Sequence, residues 1–434
     1  MGWYELDTWI VVTGALCAAA CALPGTLLVL RKMSMMGDAI SHTVLPGIAV
    51  AFLITHSRDP LPMFIGAMVI GVITALLVQW IRDLGKTDGG TAMGIVFTTL
   101  FAIGIILLRQ SLDKVHLDAD CVLYGIIEDA ASDMLKIAGV SLPRPAWING
   151  GMFLTNLLLI GLFYKEFKIS AFDPALATTL GINATLMHYL LMVMTAATAV
   201  AAFESVGSIL VIAMLIVPPA TAYLLTERFG IMILLSVALG VVAAMLGHLS
   251  AITVPGWFGF RDTVTSGMIA FASGIIFLVT WLLAPRHGMI SKLLHRAALG
   301  VRIVSEDMLG LLYRLEEHSV SSTSTMAPAL FREALNIGRL RSYLALRSLV
   351  RGGKLEQDGA RYRLTNTGRD QARHLIRSHR LWESYLNKHL SLPADHLHEP
   401  AERLEHVTDP AMRENLAERA DHPAQDPQGR PIPD

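Results

Sequence analysis

The chain carries little charge for its length, and that charge is unevenly distributed. Of its 434 residues only 16% are Asp, Glu, Lys or Arg, whereas 53% are hydrophobic, and the mean hydropathy is +0.50. A soluble globular protein has about a quarter charged residues, so most of this chain is expected to lie in a membrane. Residues 286–434 nevertheless contain 22 of the 35 Lys and Arg and 19 of the 36 Asp and Glu. This last third is therefore predicted to be a separate, water-exposed domain.

Cysteine is also scarce, which excludes two classes of small domain. Cys17, Cys21 and Cys121 are the only three, and an odd, sparse set is neither a disulfide framework nor a Cys-x-x-Cys metal site. The sequence also contains no Gly-x-x-x-x-Gly-Lys-Ser/Thr loop for binding nucleotide phosphates. If the chain takes part in ATP-driven transport, we expect a separate subunit to supply the ATPase.

Long apolar runs fill the first two thirds of the chain. A helix needs about 20 mostly apolar residues to cross the lipid bilayer, and nine segments are candidates: roughly 8–30, 39–56, 61–81, 91–109, 151–164, 186–203, 206–225, 231–254 and 264–284. Basic residues such as Arg31-Lys32 and Arg82 follow the odd-numbered spans, which predicts an outside N-terminus and a cytoplasmic C-terminus. The predicted fold is an all-α polytopic membrane domain over residues 1–285, followed after a linker at 286–300 by a soluble domain.

One polar cluster lies at the start of the second span. Asp38 and His42 are four residues apart, so a helix would place carboxylate and imidazole on one face. Such a pair offers half a site for manganese, zinc or iron, and Pro46-Gly47 weakens the helix just beyond, as in helices that line transport cavities. The alternative is that Asp38 caps the helix N-terminus while His42 lies at the headgroup level. The residues alone leave both interpretations open.

The sequence Gly37–Gly47, GDAISHTVLPG, resembles the signature of the membrane subunits of manganese, zinc and iron ABC transporters. Phe172-Asp173-Pro174 and the run Val206–Ala220 extend the resemblance, which covers about residues 8–285. It implies a multi-pass protein of the bacterial cell (inner) membrane in which Asp38 and His42 bind the metal in transit. It also implies an ATPase subunit, an extracytoplasmic metal-binding protein and a second permease subunit as partners. The loop 165–185 matches the segment that docks onto the ATPase. The residues expected to take part in this coupling are Phe172, Asp173, Leu176 and Leu180.

The charged third shows the pattern of a winged helix-turn-helix domain. Residues 327–352 are predicted as two helices separated near Asn336-Ile337-Gly338, and Lys354–Thr365 as a hairpin that turns at Asp358-Gly359. Residues 332–380 contain 12 Lys and Arg against 4 Asp and Glu, whereas 381–434 contain 5 against 11. We therefore predict a DNA-binding part at 301–366 and a metal-binding part at 367–434. Contact of the basic part with an anionic membrane surface is the alternative.

Potential metal ligands are concentrated in the acidic part. Glu402, Glu405 and His406 share one helical face, and His379 and Glu383 share another. Runs such as His379–Glu383 and His398–His406 resemble the iron- and manganese-dependent repressors of the diphtheria-toxin-repressor family over about residues 302–434. That resemblance implies the following metal ligands: Asp307, His379, Glu383, His398, Glu402, Glu405 and His406. It also implies that residues 367–434 form a metal-binding and dimerisation domain, and that a DNA-recognition helix carries Arg339, Arg341, Ser342 and Arg347.

Two departures from that family bear on the metal. Asp307 and Glu402 stand where iron-type members have a thioether and a thiol, and ligation by oxygen and nitrogen alone favours Mn(II) over softer ions. Gly310 stands where manganese-type members have a second carboxylate on the first helix. The whole chain is accordingly predicted to be a permease for manganese, with iron or zinc possible, fused to a metal-responsive regulator. Two alternatives stay open: a membrane-anchored DNA-binding regulator, and a permease gated by its own C-terminal domain without DNA.

Overall fold

The computed structural model describes these residues: 3–56, 60–111, 127–137, 140–260, 263–285, 288–318, 325–390, 393 and 396–433. The chain divides into two compact units, Met1–Ser291 and Lys292–Asp434. The segment 286–300, predicted as a linker, is helical from Met289 onward.

The first unit is a helical bundle with one short hairpin. Its helices are α1 Glu5–Leu30, α2 Met36–Thr55, α3 Pro60–Gly85, α4 Gly89–Ser111, α5 Ile127–Ala130, α6 Arg144–Leu162, α7 Tyr164–Phe172, α8 Pro174–Thr179, α9 Ala184–Leu225, α10 Phe229–Trp257 and α11 Thr265–Leu283. The antiparallel hairpin joins β1 Met134–Ile137 to β2 Val140–Pro143. Within the described part of the chain, nine helical segments are long and apolar enough to span a membrane. The predicted polytopic all-α fold is confirmed.

Three of the predicted spans are refined by the structure. The spans 186–203 and 206–225 lie in the single element α9, which is interrupted at Gly207, where φ is +78°. The fifth span begins earlier than predicted, at Arg144, and includes the buried Asn149, whose Nδ2 donates to Ser205 Oγ at 2.9 Å. This hydrogen bond between helices pairs the amide nitrogen, while among the described residues the buried Oδ1 has no partner, and hydropathy alone does not detect such a contact.

Helix α1 lies at the centre of the bundle and is buried along its small residues. Cys17, Ala18 and Cys21 have no exposed surface, and a Cβ on Gly25 would lie 2.1 Å from the carbonyl oxygen of Leu215 in α9. Backbones approach this closely only where side chains are small, as is usual between membrane helices. Gly25 therefore fixes how closely α1 and α9 pack.

The second unit contains the helix-turn-helix and wing that the sequence predicts. Its elements are α12 Met289–His318, α13 Pro328–Ala334, α14 Arg339–Arg351, β3 Leu355–Asp358, β4 Arg361–Leu364, α15 Asn366–Leu390, α16 His398–Glu405 and α17 Pro410–Arg419. Strands β3 and β4 pair antiparallel with Asp358 opposite Arg361, and Gly359 adopts φ +61° in the turn. A bidentate ion pair joins α12 to α15: both terminal nitrogens of Arg380 donate to the Glu317 carboxylate, at 3.1 and 2.6 Å.

Candidate metal sites

The membrane cluster lies in the first turns of α2. This helix begins at Met36 with Met35 as its N-cap, so Asp38 lies inside the first turn and is not the N-cap residue. The backbone is helical through residue 42, which puts positions 38 and 42 on one face. The side chain of His42 lies outside the described residues.

The sequence-predicted coupling segment forms two short helices with a polar cap between them. Asp173 is the N-cap of α8, and its Oδ1 accepts hydrogen bonds from the backbone N–H groups of Ala175 and Leu176, both at 3.0 Å. Phe172, Leu176 and Leu180 are 58%, 48% and 60% exposed. Three of the four residues assigned to coupling therefore expose apolar side chains shortly before α9, and the fourth, Asp173, caps α8.

The first group of metal donors in the second unit joins α15 to α16. Nε2 of His379 lies 3.1 Å from Oε1 of Glu383 and 3.0 Å from Nδ1 of His398. Glu383 is fully buried, and within the described part of the chain its Oε2 has no hydrogen-bond partner. A buried carboxylate oxygen without a donor beside two imidazole nitrogens fits a divalent cation.

The second group joins α12 to α16. Oδ1 of Asp307 lies 3.2 Å from Nε2 of His406, and Oε1 of Glu405 lies 3.9 Å from the same nitrogen. One donor atom from each of these three residues falls within 4.8 Å of the others. Nδ1 of His379 lies 2.5 Å from Oε2 of Glu405, so the two groups share a hydrogen bond.

Glu402, assigned to the ligand set from the sequence, belongs to neither group. It is exposed on α16, although Glu405 one turn later is buried. Sequence reasoning instead missed Glu306, whose Oε2 lies 2.8 Å from Nδ1 of His406. The signal that could have identified Glu306 is its place beside Asp307, which forms an acidic pair between two apolar residues, Val304 and Met308, that are buried in the structure.

Glu306 directs the imidazole of His406 toward the other donors. Because Nδ1–H of His406 donates to Glu306, Nε2 faces Asp307 and Glu405. A carboxylate behind a histidine in this way fixes its ring orientation for metal binding. Arg302 Nε donates in turn to Oε1 of Glu306 at 2.9 Å.

The protonation states reflect these contacts. Burial by itself lowers the pKa of His406, but hydrogen bonds with Asp307 and Glu306 outweigh it and raise that pKa to about 10. Burial likewise opposes the charge of His379, and its hydrogen bonds with Glu383 and Glu405 leave its pKa raised. The pKa of Glu306 is lowered, since hydrogen bonds from His406 and Arg302 outweigh the opposing effect of burial. Without metal, the second group is therefore held together by an imidazolium among carboxylates.

The helix assigned to DNA recognition, α14, exposes three of the four predicted residues. Arg339, Arg341 and Arg347 are exposed, and Arg347 Nη1 lies 3.5 Å from the hydroxyl of Tyr343, which is also exposed. Ser342 is only 2% exposed and lies on the face of α14 that packs into the domain. Ser342 nevertheless lines the same pocket as Arg339 and Arg347.

The sequence was compared with known families. The profile of the ABC 3 transport family matches residues 3–284. The chain belongs to this family. The profile of the iron dependent repressor metal binding and dimerisation domain matches residues 365–434 of the same ABC 3 chain. Both resemblances seen in the sequence are thus confirmed: the chain is an ABC 3 permease with a C-terminal domain of the metal-dependent repressor type.

Individual relatives of this ABC 3 permease agree with that assignment. Manganese transport system membrane protein MntD of Bacillus subtilis is 44% identical over 289 residues, which cover 66% of this chain and 95% of that protein. Zinc transport system membrane protein TroD of Treponema pallidum is 35% identical over 361 residues, 83% of this chain and 96% of that protein. The solved structure of PsaBC from Streptococcus pneumoniae in complex with Fab matches with a TM-score of 0.53 and 32% identity, over 65% of this chain and 94% of that one.

Proposed function

We propose that this ABC 3 permease imports divalent manganese along a path that passes Asp38 and His42. The observation that carries the proposal is the placement of these two residues: an Asp at position 38 and a His at position 42 lie one helical turn apart at the start of α2, an otherwise apolar helix. Ionisable groups inside a span are costly and are kept where they serve a substrate pathway. The relatives MntD and TroD, membrane proteins of a manganese and a zinc transport system, support a metal as cargo.

Uptake of radiolabelled manganese by cells that express the complete transporter tests the path. Asp38→Ala and His42→Ala are each expected to abolish uptake while the protein still inserts into the membrane and binds its ATPase. Asp129→Asn, which alters an exposed carboxylate on α5, serves as the control and is expected to leave uptake unchanged. Normal uptake by the Asp38/His42 double variant would refute the assignment.

Transport is proposed to be driven by a separate ATPase that docks on the segment around α8. The exposed side chains of Phe172, Leu176 and Leu180 supply an apolar surface, and Asp173 holds the first turn of α8 in place. An extracytoplasmic metal-binding protein and a second permease subunit complete the proposed transporter. Leu176→Asp should reduce co-purification of the ATPase, whereas Arg228→Gln, at an exposed residue outside the docking segment, should not. Equal co-purification of the ATPase with both variants would refute the docking site.

The proposed orientation places the N-terminus outside and the repressor-type domain in the cytoplasm. Clusters such as Arg31-Lys32 after α1 and Arg82 at the end of α3 support it, because basic residues are retained on the cytoplasmic side. Cysteine labelling from outside whole cells, at an exposed residue of α16, tests this orientation. Labelling of intact cells at that position would contradict it.

The C-terminal domain is proposed to sense cytoplasmic metal and to bind DNA in response. His379, Glu383 and His398 would hold one ion, and Asp307, Glu405 and His406 another, with imidazole and carboxylate donors suited to Mn(II). A bound cation would neutralise the carboxylates that now surround protonated histidines. Because Asp307 belongs to α12 and the other donors to α15 and α16, these residues connect the DNA-binding part to the metal-binding part.

The exposed arginines of α14 support DNA as the partner of this domain. A gel shift of residues 292–434 with the promoter DNA of its own gene, with and without Mn(II), tests the proposal. We expect Mn(II) to raise specific affinity while both forms stay sensitive to salt. Tight binding to anionic vesicles and none to DNA would instead favour the membrane-contact interpretation.

A further inference from the structure

A basic cavity lies beside the coupling segment, at the ends of three spans in the first unit. Its volume is about 370 Å³, in the range of small-ligand sites. The basic lining residues are Arg31, which caps the end of α1, Lys32, Arg82 in the last turn of α3, and His188 near the start of α9. Among the described residues, no carboxylate belongs to the lining.

The hydrogen bonds inside the cavity fix His188 as a further donor. Nη1 of Arg31 lies 3.0 Å from Nδ1 of His188, and Nη2 of Arg31 donates to Oγ of Ser170 at 2.9 Å. A guanidinium has only donors, so Nδ1 of His188 accepts and its proton is on Nε2. The imidazole thus adds an N–H donor to the three cationic side chains.

The position of the cavity within the fold strengthens its preference for an anion. Ala184 and Thr185, in the first turn of α9, also line it, and the N-terminus of a long helix carries partial positive charge. Burial lowers the pKa of Arg31 to about 10, which means that nearby negative charge would stabilise the guanidinium. Leu30 and Met33 contribute apolar surface to the same cavity.

We propose that this cavity binds the phosphate of an anionic phospholipid headgroup, held by Arg31, Lys32, Arg82 and His188. Spans α1 and α3 end at the cavity, so it lies at the depth where lipid phosphates are found. Because the cavity also includes Ala171 and Pro174 on either side of Asp173, a bound lipid would contact the segment proposed to dock the ATPase. Only the assignment of the lipid to the cytoplasmic leaflet rests on the proposed orientation.

Lipid binding by the full-length permease, purified in detergent and stripped of lipid, tests the proposal without metal or ATP. Phosphatidylglycerol and phosphatidylcholine are titrated and bound lipid is counted by native mass spectrometry. Lys32→Gln/Arg82→Gln removes two cations and leaves the bonds of Arg31 to Ser170 and His188 intact. At roughly fivefold per cation near a membrane surface, this variant should bind phosphatidylglycerol about 30-fold more weakly.

The matched control is Lys86→Gln/Arg228→Gln, which removes two exposed cations from the same proposed side of the membrane, outside both the cavity and the segment 165–185. We expect its affinity for phosphatidylglycerol to change less than about threefold. Equal weakening in both double variants, or no preference for phosphatidylglycerol over phosphatidylcholine in the natural chain, would overturn the proposal.

Two further measurements distinguish a lipid phosphate from other anionic groups that could occupy the cavity. Displacement of phosphatidylglycerol by inorganic phosphate at equal concentration would assign the cavity to a soluble phosphate and overturn the lipid source. Unchanged lipid binding together with weaker binding of the ATPase by Lys32→Gln/Arg82→Gln would assign it to an acidic residue of the ATPase. Since no measurement of lipid uses manganese, failure of the transport proposal would leave this result unaffected.

Discussion

Metal binding by the C-terminal domain should release protons, and its affinity should therefore rise with pH. Hydrogen bonds with Asp307 and Glu306 outweigh burial and raise the pKa of His406 to about 10, so the metal-free domain holds an imidazolium at neutral pH. A metal needs the lone pair on Nε2, the nitrogen that faces Asp307 and Glu405. Binding must displace that proton first.

The size of the effect follows from the pKa. At pH 7, three units below about 10, roughly one His406 in a thousand is neutral, which weakens apparent binding by about 4 kcal/mol. Each pH unit between 6.5 and 8.5 should thus strengthen Mn(II) binding about tenfold. Burial opposes the charge of His379, but hydrogen bonds with Glu383 and Glu405 leave its pKa raised, which acts in the same direction.

Calorimetric titration of residues 292–434 with Mn(II) at pH 6.5, 7.5 and 8.5 measures this dependence. The fragment corresponds to a compact unit with its own buried core. Titration in two buffers with different ionisation enthalpies counts the protons released, and we expect about one or slightly more per ion at the His406 group. An affinity independent of pH, with no proton release, would refute the reasoning.

The stability of the metal-free domain should have the opposite pH dependence. Since the folded-state pKa of His406 lies above its ordinary value of 6.5, its contribution to stability is fully present below pH 6.5 and is lost as pH rises through about 10. The free energy of unfolding in urea should therefore fall between pH 7 and 10 without metal. With saturating Mn(II) this fall should disappear, because the bound state no longer contains the imidazolium.

Further predictions concern the choice of metal ligands, the orientation of His406 by Glu306, and the packing of α1 against α9. Glu405→Gln should weaken Mn(II) binding by at least tenfold, whereas Glu402→Gln, on the exposed side of α16, should leave it within about twofold; equal losses would restore Glu402 to the ligand set. Glu306→Gln should weaken Mn(II) binding at pH 8.5 by about 10- to 100-fold while the fold is kept, as circular dichroism can check, and an unchanged affinity would mean that Glu306 does not orient His406. Gly25→Ala should destabilise the permease by about 1–3 kcal/mol, because its Cβ would overlap a backbone oxygen of α9, whereas Gly161→Ala, with open space around its Cβ, should not; melting temperatures in detergent measure the difference.

Local pattern was enough to predict much of this chain. Hydropathy identified nine spans because each must be apolar along its own length. The β3–β4 hairpin was predicted because Asp358-Gly359 is itself the turn. The pairing of His379 with Glu383 was likewise local, since a helix brings residues four apart onto one face.

Tertiary packing decided the rest. By sequence spacing, Glu402 and Glu405 of α16 are equally good candidates for metal ligands. The packing of this helix against α15 buries Glu405 and leaves Glu402 exposed. Glu306 became a partner of His406, 100 residues along the chain, only because α12 passes beside the end of α16. The basic cavity at Arg31 and Arg82 likewise arises from three helix ends that are distant in sequence. Spacing determines which residues share one helix face, whereas the neighbour of that face depends on how the helices cross, and no local pattern encodes the crossing.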